Sequence, residues 1–141
     1  MLYTRKETNE YNTYAERIVN YARKTGFQDI KADFEGYESP SSLSMVNSEV
    51  SYTPDFSGIR DDQKHYFELV VKNTDNEAVK CLISKWKALE MIAERKGGKL
   101  HLIIPNGSYK FASQIKQDYN LNAELTKLSS LPKLQEELEL A

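Results

Sequence analysis

From about Glu10 to Lys24, the residues Tyr11, Tyr14, Ile18, Tyr21 and Ala22 recur at three- and four-residue spacings. That period lines one face of a helix, and Gly26 stands where such a helix stops. Asp29 to Glu35 then alternates polar and apolar side chains, the pattern of a half-buried strand. Gly36 to Ser48, rich in Ser and Gly with Pro40, reads as a long connecting loop. Val50 to Ile59 and Lys64 to Lys72 read as two strands of a hairpin about the polar turn Arg60-Asp61-Asp62-Gln63. Val79, Leu82, Trp86, Leu89 and Ala93 keep helical spacing from Asn76 to Arg95, with Asp75 as N-cap and Gly97-Gly98 as the stop. The apolar run Lys99 to Pro105 predicts a strand, Tyr109 to Tyr119 a helix, and Asn122 to Leu128 a last strand. Helix and strand alternate in this half, which favours parallel pairing and an α/β fold. Residues 129–141 read as a C-terminal helical extension, with Pro132 near its first turn.

Within this frame Glu68 is out of place. Its strand, Tyr66-Phe67-Glu68-Leu69-Val70-Val71, is apolar on both faces, as a central strand covered on both sides is. A carboxylate buried there without a partner costs several kcal/mol or more, so a cation or hydrogen-bond donors must compensate it. A symmetric loop centred on Asp61-Asp62, whether of two or four residues, sets Asp55 directly opposite Glu68. The four-residue loop is the expected one, because a two-residue turn without glycine is less favourable. Opposed carboxylates lie roughly 5 Å apart at Cβ and repel. A divalent cation bound by hard oxygen ligands, magnesium or manganese, would remove that conflict. The same residues also allow a plainer arrangement, with Asp55 in a turn after Pro54, Glu68 paired with a lysine, and an odd loop shifting the register.

Composition narrows the setting. The 141 residues suit one domain, 1–141, and 40% hydrophobic with 28% charged side chains of both signs is a globular composition. The formal net charge of −2 supplies no broad basic field, so any nucleic-acid contact is expected to be local. No apolar run approaches the roughly 20 residues needed to span a bilayer, and no signal-peptide core follows Met1, so a cytoplasmic address without membrane attachment is expected. The single cysteine, Cys81, allows no internal disulfide, and His65 and His101 stand too far apart in sequence for a zinc spacing.

Thr53-Pro54-Asp55, the hairpin, and Tyr66-Phe67-Glu68-Leu69-Val70 together resemble the PD-(D/E)xK restriction-endonuclease-like superfamily. Ser84-Lys85-Trp86-Lys87-Ala88-Leu89, Gly97-Gly98 and Leu100 to Pro105 look like its small members, and the resemblance covers roughly Tyr11 to Leu128. It implies a three-layer α/β/α core, a mixed sheet with a central β-hairpin in the order α-β-β-β-α-β-α-β, and a metal-dependent nuclease cleaving DNA. Asp55 and Glu68 would hold Mg2+ or Mn2+, and a homodimer presenting two sites is a further expectation. The family's lysine falls at Val70, which can neither orient water nor donate a proton. An inactive nuclease-like module that binds nucleic acid or protein is therefore the alternative. Two lysines could substitute for it. Lys72 lies about 13 Å along the strand from Glu68, whereas Lys85 flanks the apolar stripe of the following helix and is the better candidate, although a snorkelling side chain would look the same. Glu16 is the candidate for an extra ligand, on a side of the first helix turned from Ile18. Trp86 reads as core and His65 as structural or exposed rather than catalytic. Lys80, Lys85 and Lys87 with Arg95 and Lys96 read as a solvated face or an approach to a phosphate backbone.

Overall fold

The computed structural model describes residues 9–44 and 49–131. The chain runs α1 (Asn9–Lys24), β1 (Gln28–Ala32), β2 (Leu43–Ser44), β3 (Ser51–Tyr52), β4 (Phe56–Arg60), β5 (Gln63–Leu69), α2 (Asn76–Arg95), β6 (Leu100–Ile104), α3 (Tyr109–Asp118) and β7 (Ala123–Lys127). A mixed sheet in the order β1-β4-β5-β6-β7 forms the frame, and β2 pairs with β3 in a separate two-stranded ribbon. β1, β4 and β5 are antiparallel neighbours, whereas β5, β6 and β7 are parallel, as helices between successive strands require.

Each face of the sheet is covered by helix. Ala15, Ile18, Val19 and Ala22 of α1 pack with Phe56, Phe67, Leu69 and Ile103 on one face. Ile83, Trp86, Leu89, Ile92 and Ala93 of α2 and Ala112 and Ile115 of α3 pack with Tyr66, Val70, Leu100, Leu102 and Ile104 on the other. β5 lies between these layers at the centre of the sheet, and Tyr66 to Val70 are all buried, which is why its sequence is apolar at successive positions.

Where elements differ from the sequence expectation, turn chemistry is the cause. The strand read from Asp29 to Glu35 is β1, Gln28–Ala32, with a register shift after Gln28 where Asp29 takes a left-handed φ of 51°. It ends because the chain turns back at Phe34 to Tyr37, whose N–H reaches the Phe34 carbonyl. The strand read from Val50 to Ile59 is broken at Thr53-Pro54-Asp55, because Pro54 has no N–H to give a ladder. The long loop before it carries β2. The hairpin turn has two residues, not four: Arg60 pairs with Gln63, and Asp61 and Asp62 both take positive φ, 55° and 64°. Such a type I′ turn matches the twist of its strands, and aspartate tolerates the left-handed region better than most residues.

α2 matches its sequence signals at both ends. The Asp75 side chain accepts a hydrogen bond from the Ala78 N–H at 2.9 Å, and Gly97 (φ 78°) follows its last turn. Gly98 is required for another reason: a Cβ there would stand 1.8 Å from the Lys64 carbonyl oxygen. At the end of the described chain, Leu128–Ser130 forms a single 3₁₀ turn, clasped by Arg17, whose guanidinium donates to the Leu128 and Leu131 carbonyls. The expected C-terminal helix otherwise lies outside the described residues.

Candidate functional site

β4 and β5 pair Phe56 with Phe67 and Ser57 with Tyr66, the register expected from the sequence. One step beyond, Asp55 and Glu68 face each other and replace the backbone ladder with side-chain bonds. The Asp55 N–H donates to Glu68 Oε2 at 2.7 Å, and the Leu69 N–H donates to Asp55 Oδ2 at 2.9 Å. Each carboxylate thus has one oxygen pinned by a backbone donor. Both residues are 1% exposed, so their charge demands compensation.

The compensation comes from α2. Glu68 shares its face of β5 with Tyr66 and Val70, which pack under that helix. Lys85 extends from the helix to Glu68 Oε1 at 3.0 Å and to Asp55 Oδ1 at 3.7 Å. The ammonium therefore engages the oxygen of each carboxylate that these backbone bonds do not use. Burial disfavours its charge, but Glu68 and Asp55 outweigh that penalty, and the lysine is held above its ordinary pKa. Of the three sequence candidates for one centre, Asp55, Glu68 and Lys85, all meet at one point.

Val70, two residues after Glu68 on the same face of β5, offers the pair no cation. It is fully buried among Ile83, Trp86 and Leu89 of α2, where an ammonium would have to be taken out of water. Lys72 is exposed beyond the end of β5, and its N–H bonds Ser108 Oγ at 3.3 Å. Glu16 is exposed on α1, across the sheet from α2, and acts on Tyr37, whose hydroxyl burial and the Glu16 charge push up. Trp86 is wholly buried core. The basic run on α2 divides: Lys80 pairs with Glu77 at the surface, Lys87 lies over the Tyr119 ring, and Lys96 donates to the Tyr66 hydroxyl.

Sequence reasoning missed two groupings. The β1–β4 register, Ala32 with Phe56, sets Asp33 beside Asp55, and the Asp33 N–H donates to the Asp55 carbonyl at 2.8 Å. Asp33 is exposed, and its charge acts on Lys85. Asp33, Asp55 and Glu68 thus stand in a row across β1, β4 and β5. On the opposite face His65 Nδ1 and His101 Nε2 lie 3.0 Å apart, and His101 Nδ1 is 3.8 Å from Glu124 Oε2. The His101 ring stacks on Phe67, while Phe27 meets both imidazoles edge-on. The parallel β5–β6 register, Phe67 with His101, creates this pair, and no spacing in the sequence announces it.

No family model matches the chain, and no curated protein matches it. Among solved structures, the crystal structure of a protein of unknown function, AF1548, is similar at 16% identity with a TM-score of 0.47, over 91% of this chain and 63% of that one. The chain thus spans less than two thirds of that neighbour. A likeness of this degree transfers neither fold nor role.

The donor set suits a hard cation. Asp55 Oδ1 and Glu68 Oε1 converge on one ammonium, and two carboxylate oxygens with further positions left to water and phosphate are the usual magnesium arrangement. Among the described residues there is no cluster of three or more His, Cys, Asp or Glu side chains set to hold a metal, so this would be a site of two side-chain ligands. Among the same residues, no helix is long and apolar enough to cross a membrane.

Proposed function

We propose that this chain is a metal-dependent nuclease of the PD-(D/E)xK type, with a restriction-endonuclease-like core, hydrolysing phosphodiester bonds of DNA. The observation that carries the reading is the convergence of Asp55, Glu68 and Lys85 at the end of a central hairpin. In this reading Asp55 and Glu68 hold Mg2+ or Mn2+ through Oδ1 and Oε1, while their other oxygens stay fixed to the backbone. The bound ion would supply an activated water and neutralise charge on the scissile phosphate. Lys85 takes the part of the lysine that Val70 cannot play, orienting the attacking water or donating to a phosphate oxygen. Its reach from a helix anchored at both ends supports that role. Hydrogen bonds from the backbone to each carboxylate keep the pair from relaxing apart, a form of preorganisation.

A second reading, a non-catalytic nuclease-like module binding nucleic acid or protein, is favoured by one feature. Lys85 already satisfies the pair electrostatically, as it would in a purely structural ion triad. The two readings are separated by magnesium-dependent cleavage of plasmid and single-stranded DNA. Wild type is expected to cleave, and Glu68→Ala and Lys85→Met are expected to lose turnover. Equal cleavage by wild type and Glu68→Ala removes the nuclease reading.

A further inference from the structure

The geometry points to Lys85 as a resident counter-ion that competes with the divalent cation for Asp55 and Glu68, so that loading the site requires its ammonium to swing out toward Asp33. This deepens the proposed function and rests on its metal site.

Glu68 Oε2 is committed to the Asp55 N–H and Asp55 Oδ2 to the Leu69 N–H, so Oε1 and Oδ1 are the two turned to a cation. Lys85 Nζ takes both, at 3.0 and 3.7 Å. A magnesium or manganese ion would sit about 2.1 Å from the same oxygens. With the ammonium left in place, the two cations would then be at most about 5 Å apart in a site with little water to screen them. Both would draw on the same two oxygens, and the lysine is the cation on a flexible stem, able to yield them.

The strand register supplies its destination. Glu68, Asp55 and Asp33 lie in one row across three strands, and Lys85 spans the first two. The third is at the exposed rim and already acts on the ammonium. Moving from Glu68 toward Asp33 keeps Lys85 beside a carboxylate throughout, avoids an uncompensated buried charge, and brings the ammonium to the mouth of the site. An incoming phosphate would meet it there.

The test is calorimetric titration of Mn2+ into wild type, Lys85→Met, Lys85→Arg and Glu68→Gln. Removing the resident cation should tighten Mn2+ binding roughly tenfold or more in Lys85→Met. Arginine grips carboxylates bidentately, so Lys85→Arg should bind Mn2+ several-fold more weakly than wild type, which keeps the test open if Lys85→Met does not fold. Glu68→Gln should lose binding. Equal affinity in wild type and Lys85→Met, or in wild type and Lys85→Arg, overturns the competition while leaving the metal site standing. No Mn2+ binding by any of the proteins overturns both. Asp33→Asn should weaken Mn2+ binding in the wild-type background and have less effect in the Lys85→Met background. An equal loss in both makes Asp33 a partner of the ion and overturns its role as receiver of the lysine.

Discussion

At the scale of single residues, the centre is an exercise in compensating buried charge. Asp55 and Glu68 would repel across the hairpin, yet backbone donors pin one oxygen of each and Lys85 engages the other. Removing one partner from such an arrangement typically costs about 3–5 kcal/mol, because the remaining charge stays buried. The His65–His101 pair carries the opposite liability. Burial, the neighbouring His65, and the Arg60 and Lys99 charges pull His101 down from 6.5 to about 3. Burial and Arg60 lower His65 as well, against the pull of Glu124 and Asp61. Both imidazoles are therefore neutral in the folded chain at a pH where the unfolded chain takes up protons. Stability is full above about pH 6.5 and falls as the pH drops through the window from 6.5 toward 3, by up to about 1.4 kcal/mol per pH unit for His101, with His65 acting in the same direction. Urea midpoints measured from pH 7.5 to 4.5 should show that loss, with a shallower dependence in the His65→Gln/His101→Gln double variant. A pH-independent midpoint in wild type contradicts the neutral pair.

At the scale of elements, a two-residue turn fixes the site. Asp61 and Asp62 in the left-handed region close the hairpin in the register that opposes Asp55 to Glu68. A slip of one residue would move Glu68 to the α1 face, out of reach of Lys85. Left-handed backbone costs a non-glycine residue, so Asp62→Gly should stabilise the protein by roughly 0.5–1 kcal/mol and leave the register intact, read as a rise in the urea midpoint at unchanged slope. A fall in the midpoint would mean that the Asp62 side chain has a structural role of its own. α2 supplies the second constraint. Asp75 sets its start, the close approach of Gly98 to Lys64 sets its end, and Trp86 and Leu89 seat its apolar stripe on β5. Lys85, one residue before the buried Trp86, is thereby aimed along the sheet surface at Glu68 rather than into solvent.

At the scale of the whole molecule, two apolar layers enclose a mixed five-stranded sheet, and stability is greatest where both layers meet on β5 and β6. Native-state hydrogen exchange should therefore be slowest at Phe67, Leu69 and Leu102 and fast in the ribbon Leu43–Ser44 with Ser51–Tyr52. Leu69 is diagnostic, because its N–H is held by the Asp55 carboxylate rather than by backbone. Its protection should fall selectively in Asp55→Ala. Unchanged protection at Leu69 would show that the carboxylate does not extend the ladder. With a net charge of −2, the chain as a whole sets up no general attraction for a polyanion.

Much of this was readable in the sequence because it rests on short-range chemistry. Helical spacing located α1, α2 and α3, the apolar run about Glu68 marked a central strand, and Asp61-Asp62 gave the register that opposes Asp55 to Glu68. The two-residue turn, the break at Pro54 and the β2–β3 pairing were not readable, since each depends on backbone conformations that several residue types adopt. Helix position already favoured Lys85 over Lys72, but only packing could show that its ammonium meets the carboxylates instead of snorkelling to solvent, because that turns on which face of the sheet α2 covers and how far a side chain reaches across it. Asp33 beside Asp55, and His65 against His101, required the pairing of strands distant in sequence. Local pattern determines which side chains share a face. The tertiary fold decides which faces meet, and with them which buried charges are compensated.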